Sequence, residues 1–150
     1  MLKYAVEPFS KIIDEARPLL EAHWLEIGLD RDIIPLDIDY EKYLQLNANA
    51  NLIIVTARQE GVLVGYIAAI LSSHLHYHST LFATLDVFYL KPEFRKGLNG
   101  VNLFLEMQRA LKWRDVRKVI GQTKLGDKDI SAVYRYLGWK PIETLFAKVL

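Results

Sequence analysis

The stretch Arg95-Lys96-Gly97-Leu98-Asn99-Gly100 sets two cations and two glycines where an apolar, strand-like run gives way to a helical pattern. Backbone N–H groups at a helix N-terminus lack internal acceptors and carry partial positive charge, so an anion there gains hydrogen bonds and dipole stabilisation together. Gly97 and Gly100 let the main chain approach a ligand without a Cβ in the way, and Arg95 and Lys96 add charge suited to phosphate. A plain strand-to-helix loop with a surface basic pair and an Asn99 N-cap has the same composition, and these residues alone leave both readings open. Asp86 is the only Asp, Glu, Lys or Arg between Gly61 and Leu90. A carboxylate in so apolar a run is costly without a partner or a task, and it suits either a base or a structural pairing. His74, His76 and His78 alternate, which on extended chain puts three imidazoles on one face. That pattern can bind a metal, but no further ligands can be placed, so no metal is expected. His23 and Trp24 lie on the mainly apolar face of a helical segment, where packing is the default for Trp24 and His23 stays open.

The elements that must hold these residues follow from periodicity. Leu2 to Val6 reads as a short strand. Ile12, Ile13, Ala16, Leu19, Leu20, His23, Trp24 and Ile27 then recur at helical spacing, with Gly28 as the stop and Pro18 expected to kink or split the helix. Asp30 to Asp39 is an acidic, proline-broken loop, and Tyr40 to Leu46 suits a short helix. Leu52 to Arg58 and Val62 to Ser72 read as central strands joined by a tight turn at Gln59-Glu60-Gly61. After a loop from His74 to Ser79, Leu81 to Leu90 makes a third strand, ended by Lys91-Pro92. A helix from about Gly100 to Trp113, a strand from Val116 to Thr123, a helix from Lys128 to Leu137 and a closing strand or pair of strands from Pro141 to Leu150 complete the chain. Single helices between strands predict a mixed α/β sheet.

Composition narrows the function classes. At 150 residues, half of them apolar, the chain suits one domain with a sizeable core. It has no cysteine, which excludes disulfides, thiolate metal sites and a cysteine nucleophile. The longest apolar run, Val62 to Leu71, is too short to span a bilayer, so a soluble, cytoplasmic protein is expected. The net charge of +1 hides a segregation: residues 1–60 hold six Lys/Arg against eleven Asp/Glu, and residues 91–118 hold eight against three. The basic stretch does not interleave aromatics as a base-stacking platform would, so nucleic acid is the weaker expectation and a phosphorylated small molecule the stronger.

Pro92 to Gly100, with a strand before it and a helix after, resembles motif A of the GNAT N-acetyltransferases, an Arg/Gln-x-x-Gly-x-Gly/Ala turn around the pyrophosphate of acetyl-CoA. Arg95 takes the first position and Gly100 the last, while Leu98 stands where the family usually has glycine and Gly97 comes one place early. Val133-Tyr134-Arg135-Tyr136-Leu137-Gly138-Trp139 is similar to the family's motif B, Tyr-x-x-Leu-Gly-Phe. Within the superfamily, His74-Leu75-His76-Tyr77, the Asp86-x-Phe-Tyr-Leu strand end, His23-Trp24 and Glu143-x-x-Phe-x-Lys resemble acetyltransferases encoded by tailed bacteriophages, which implies a bacterial host cytoplasm.

The resemblance implies a single GNAT-like domain over 1–150, α/β (α+β), with a central mixed, mostly antiparallel sheet of six to seven strands, splayed central strands and about four helices. It implies transfer of an acetyl group from acetyl-CoA, as cosubstrate, to an amine of a small molecule or protein. It implies cofactor contacts from Phe88, Tyr89, Leu90, Arg95, Lys96, Gly97, Leu98, Asn99 and Gly100, and Tyr134 as proton donor to the leaving thiolate. Asp86 then becomes a base for the acceptor amine, and His23, His76 and His78 are acceptor contacts. A GNAT-like module without catalysis, binding or inhibiting a host protein, is the alternative that Leu98 encourages. Exposed strand edges and the apolar run Leu145 to Leu150 leave a homodimer open.

Overall fold

A computed structural model describes residues 1–150. Its elements are β1 (Lys3–Val6), α1 (Phe9–Ile27), α2 (Tyr40–Ala48), β2 (Leu52–Gln59), β3 (Val62–His74), β4 (Tyr77–Leu90), α3 (Asn99–Trp113), β5 (Lys118–Ile120) and α4 (Ser131–Tyr136), with short 3-10 turns at Pro92–Phe94 and Gly126–Lys128. The strands form one sheet in the order β1-β2-β3-β4-β5. The first three pairings are antiparallel and the last, β4 with β5, is parallel.

The core has two layers, one on each face of the sheet. Successive strand residues point to opposite faces, so Ile53, Val55 and Ala57 pack with Leu103, Phe104, Met107 and Leu111 of α3. Leu52 and Ile54 pack with Phe9, Ile12, Ala16 and Leu19 of α1. β2 and β3 are therefore covered on both sides, which explains why their sequences are almost unbroken apolar runs. At the β1–β2 edge, Glu7 is buried beside Thr56 and Arg58. Thr56 Oγ1 and Arg58 Nε donate to its carboxylate at 2.5 and 2.8 Å, and the Arg58 guanidinium also reaches Glu15 of α1.

Three expectations are corrected. The sheet has five strands and not six to seven, because Pro141–Leu150 forms no strand: none of these residues makes a hydrogen bond within the chain, and a strand exists only as a member of a ladder. Pro18 does not split α1. It lies on the exposed face, where the carbonyl of Asp14 that it leaves without a donor can turn to water. The loop foreseen from His74 to Ser79 shrinks to a turn at Leu75-His76, since β3 and β4 stay paired as far as His74 and Tyr77.

Two irregularities shape the middle of the sheet. The β3–β4 register pairs Ala68 with Val87 but Ala69 with Leu85, so Asp86 is an extra, bulged residue. The β4–β5 pairing covers only Phe82↔Lys118 to Thr84↔Ile120. From Leu85 to Leu90, β4 has β3 on one side and no strand on the other, and an opening in the sheet begins there.

Candidate active site

The opening leads directly to the basic turn. β4 ends at Leu90, whose carbonyl accepts a hydrogen bond from Arg95 Nε at 2.6 Å, and the chain passes through the 3-10 turn Pro92–Phe94 into Gly97 and α3. Three amides of this turn are taken by the chain itself: Arg95 N donates to the Pro92 carbonyl, Lys96 N to Phe94 and Asn99 N to Lys96. The amides of Gly97, Leu98, Gly100 and Val101 have neither a backbone nor a side-chain acceptor. Those four N–H groups, at the positive end of a 15-residue helix, are what an anion site requires.

The glycine shift relative to the family pattern has a conformational basis. Positive φ falls at Gly97, +55°, with nothing within 4 Å of where a Cβ would stand. Leu98 has φ −99°, which any residue adopts, and its side chain is exposed. The turn therefore forms without glycine at 98. Leu98, and not Asn99, is the N-cap. Asn99 is the first helical residue, and its amide donates to the Phe94 carbonyl at 3.0 Å.

Arg95 is held by the protein. Both terminal nitrogens donate to the Glu26 carboxylate of α1 at 2.6 Å, and the guanidinium lies over the Tyr89 ring at 5.4 Å. Lys128 also approaches Glu26, at 3.7 Å. Arg95 thus ties the end of β4 to the last turn of α1, and Lys96 is the exposed cation of the turn.

Tyr134 stands across the opening from β4. Its hydroxyl donates to the carbonyl of Gln122, just past β5, at 2.9 Å, and its ring packs edge-on to Phe104 and tilted against Trp139. Burial alone pushes its pKa up to about 12, so the phenol keeps its proton at neutral pH. Gly121 makes this placement possible, because a Cβ there would lie 2.5 Å from the Tyr134 oxygen.

Asp86 reaches the surface at the bulge, where its carboxylate accepts a hydrogen bond from the Tyr43 hydroxyl of α2. Tyr43 is pushed above the usual phenol range, first by burial and then by this carboxylate. His23, half-buried, lies tilted on Tyr89 with ring centroids 5.3 Å apart. Burial is the main cause that pulls its pKa below 6.5; Arg95 and Lys124 add to it, and Glu26 and Asp86 oppose it. The imidazole is therefore neutral at pH 7. The structure does not bring His76 and His78 to the opening. They sit at the exposed β3–β4 turn, and the eight residue steps along β4 from His78 to Asp86 span about 26 Å. No group of three or more His, Asp or Glu side chains is placed to hold a metal ion.

The residues brought to the opening are thus Phe88 to Leu90, the turn 95–100, Asp86, His23 and Tyr134. Sequence reasoning missed Glu26 and Tyr43. Glu26 is one helical turn from His23 on the same helix, a signal that was there to read; Tyr43 gave none.

No protein-family model and no curated protein sequence matches the chain. Solved structures do. An aminoglycoside acetyltransferase from an uncultured soil metagenomic sample superposes with a TM-score of 0.76 at 15% identity, covering 100% of this chain and 99% of that one. A ribosomal-protein-alanine N-acetyltransferase from Brucella melitensis biovar Abortus gives 0.74 at 15% identity over 100% and 99%. A predicted acetyltransferase from Clostridium acetobutylicum, solved with acetyl-CoA, gives 0.67 at 13% identity over 99% and 96%. At such identities the likeness is one of fold, and the fold is that of acetyltransferases.

Proposed function

We propose that the protein transfers an acetyl group from acetyl-CoA directly to an amine. The observation that carries this reading is the set of four unpaired amides at Gly97, Leu98, Gly100 and Val101, at the mouth of an opening between two parallel strands. Acetyl-CoA supplies an acyl group activated as a thioester, together with a diphosphate of the size and charge those amides suit. Lys96 complements the phosphate charge from the rim, and Arg95, through Glu26 and the Leu90 carbonyl, fixes the turn's position on β4. The free edge of β4 from Phe88 to Leu90 offers main-chain groups to the pantetheine arm and a donor to the thioester oxygen as charge develops there.

The remaining chemistry is proton management. Asp86 takes the proton of the incoming ammonium, directly or through water, while Tyr43 holds its carboxylate. Neutral His23 lines the same side of the opening. Tyr134 gives its proton to the departing thiolate and recovers one from water once the product has left, the Gln122 carbonyl holding the phenol in place. The three similar structures are named for an aminoglycoside, a ribosomal-protein alanine and no stated acceptor, which supports an amine of a small molecule or protein as the acceptor here. The bacteriophage-like motifs add the reading that the acceptor is met in a bacterial host.

A second reading, a GNAT-like binding module without turnover, is favoured by the commitment of the Tyr134 proton to Gln122 and of Arg95 to Glu26. Two measurements divide the readings. Calorimetry with CoA should show binding that Gly100→Asp weakens at least about tenfold, since a carboxylate would then face the free amides. Mass spectrometry of bacterial extract incubated with protein and acetyl-CoA should show a new acetylated amine. CoA binding without any acetylated product, or no CoA binding at all, would remove the acyl-transfer reading and leave the module.

A further inference from the structure

Tyr66, on β3, is 3% exposed, and its hydroxyl has no hydrogen-bond partner. Taking a hydroxyl out of water and leaving it unpaired is costly, so a buried one without a partner calls for a reason. The ring itself is well placed: it lies 6.1 Å from that of Tyr89, its cross-strand neighbour on β4, and packs in the layer under α1. Burial first, then Tyr89, Tyr43 and Asp86, push the Tyr66 pKa above the usual phenol range, so the hydroxyl is neutral and lies in the field of the Tyr43–Asp86 pair.

Tyr66 and Tyr43 together line an apolar crevice between α1, α2 and the sheet, whose other walls include Phe9, Ile12, Leu20 and Val87. No charged side chain lines it. Its rim carries charge at one point, where the Tyr43 hydroxyl donates to the Asp86 carboxylate. Asp86 in turn stands at the bulge where the opening of the sheet begins. The crevice therefore meets the opening from the α1 side, across the sheet from the α3 layer on which Tyr134 packs. The Tyr66 hydroxyl is shielded from water, and the wall that an entering group must move is weakly held, since α2 has no buried residue whereas α1 has four.

Such a crevice discriminates among amines. A peptide or a polyhydroxylated sugar would press amide or hydroxyl groups against walls that offer them no hydrogen bond. A second ammonium on the same molecule would meet the same cost, with no second carboxylate bonded to a lining side chain to offset it. A lone ammonium on a hydrocarbon stem meets neither penalty. Its N–H donors suit the Asp86 carboxylate and the unpaired Tyr66 oxygen at once, while the stem covers apolar wall.

We propose that the acceptor is a primary monoamine on an apolar stem, seated in this crevice with its ammonium shared between Asp86 and Tyr66. The proposal rests on the acyl-transfer reading, whose acceptor it names, but the site has a readout in binding as well as in turnover. Tyr66 touches the substrate: it holds the nitrogen at the opening after Asp86 has taken its proton.

The test uses the whole chain loaded with CoA and two probes of equal length, hexylamine and hexamethylenediamine, which differ by one terminal ammonium. Calorimetry should show hexylamine bound at least about tenfold more tightly than the diamine, and Tyr66→Phe should weaken hexylamine about tenfold, the worth of one hydrogen bond to a charged group. With acetyl-CoA, mass spectrometry should show acetylated hexylamine, and the loss in Tyr66→Phe should appear in KM. The variant keeps the ring and should melt no lower than the parent, with CoA affinity unchanged; a hydroxyl with a purely structural role would lower the midpoint and leave amine affinity alone. Equal affinity for the two amines, hexylamine affinity unchanged in Tyr66→Phe, or acetylation of other amines but not of hexylamine would each overturn the proposal. Hexylamine bound through Tyr66 with no amine acetylated at all would remove the acyl-transfer reading and keep the crevice as an amine site.

Discussion

The Tyr134 hydroxyl is a proton donor whose strength is set by its surroundings. Burial holds it protonated with a pKa of about 12, and its one hydrogen bond, to Gln122, points along the edge of the opening. If it serves the leaving thiolate, Tyr134→Phe removes only the oxygen, because the ring contacts to Phe104 and Trp139 do not need it. A positioned general acid contributes on the order of 100-fold or more. The expected outcome is a kcat about 100-fold lower with CoA affinity unchanged, read by steady-state kinetics beside calorimetry. Unchanged turnover would assign the hydroxyl to holding Gln122 alone. Asp86 differs in kind. It sits at a bulge, where two residues of β4 face one of β3, and this turns its side chain out of the sheet toward Tyr43. The bulge, and not the residue type, makes a carboxylate tolerable in an apolar strand.

At the scale of elements, what tied the site together was only partly legible in the sequence. The strand, basic turn and helix around Arg95 to Gly100 showed because glycine, charge and a change of period coincide there. Helix α3 showed because Phe104, Met107 and Leu111 recur at its period. The bulge at Asp86 left no trace, since one extra residue in an apolar run looks like the run itself. The engagement of Arg95 by Glu26 was hidden because it joins residues 69 apart in the chain. Pro141–Leu150 misled because its residues favour β structure while no strand of the sheet pairs with it. The Glu7–Thr56–Arg58 cluster was also invisible, and it carries a stability prediction. Its largest cause, the hydrogen bond from Arg58, lowers the Glu7 pKa below its usual value. The carboxylate therefore stabilises the fold above the unfolded-state pKa, near 4.5, and that contribution disappears as pH falls through the lower folded-state value. Arg58→Ala leaves the buried Glu7 carboxylate with only Thr56 and the exposed Lys11, and should cost up to about 3 kcal/mol in urea unfolding at pH 7. The parent should lose stability as pH drops below 4.5 more steeply than the variant, in which Glu7 has lost its strongest partner.

For the molecule as a whole, the fold places its most solid parts away from its chemistry. β2, β3, β4, α1 and α3 supply all but two of the buried residues, whereas β5, α4 and the segment after Trp139 supply none. The opening lies on the boundary between these halves, with β4 and the turn on the packed side and Tyr134 on the looser side. A ligand spanning the boundary should therefore stabilise the molecule by joining the two. Binding only to the folded state contributes RT ln(1 + [L]/Kd), about 2.7 kcal/mol at a hundredfold excess over Kd. For a chain of this length each kcal/mol raises Tm by roughly 2–4 °C. CoA at about 100 Kd should accordingly raise the melting midpoint by about 5–10 °C in differential scanning calorimetry, and Gly100→Asp, by weakening the amide site, should abolish most of the rise. Inorganic pyrophosphate, which reaches the cradle but not across to Tyr134, should bind more weakly and give a smaller shift at equal concentration. An equal shift from pyrophosphate at the same concentration would mean that the rest of CoA adds no affinity, and that no ligand bridges the gap to β5.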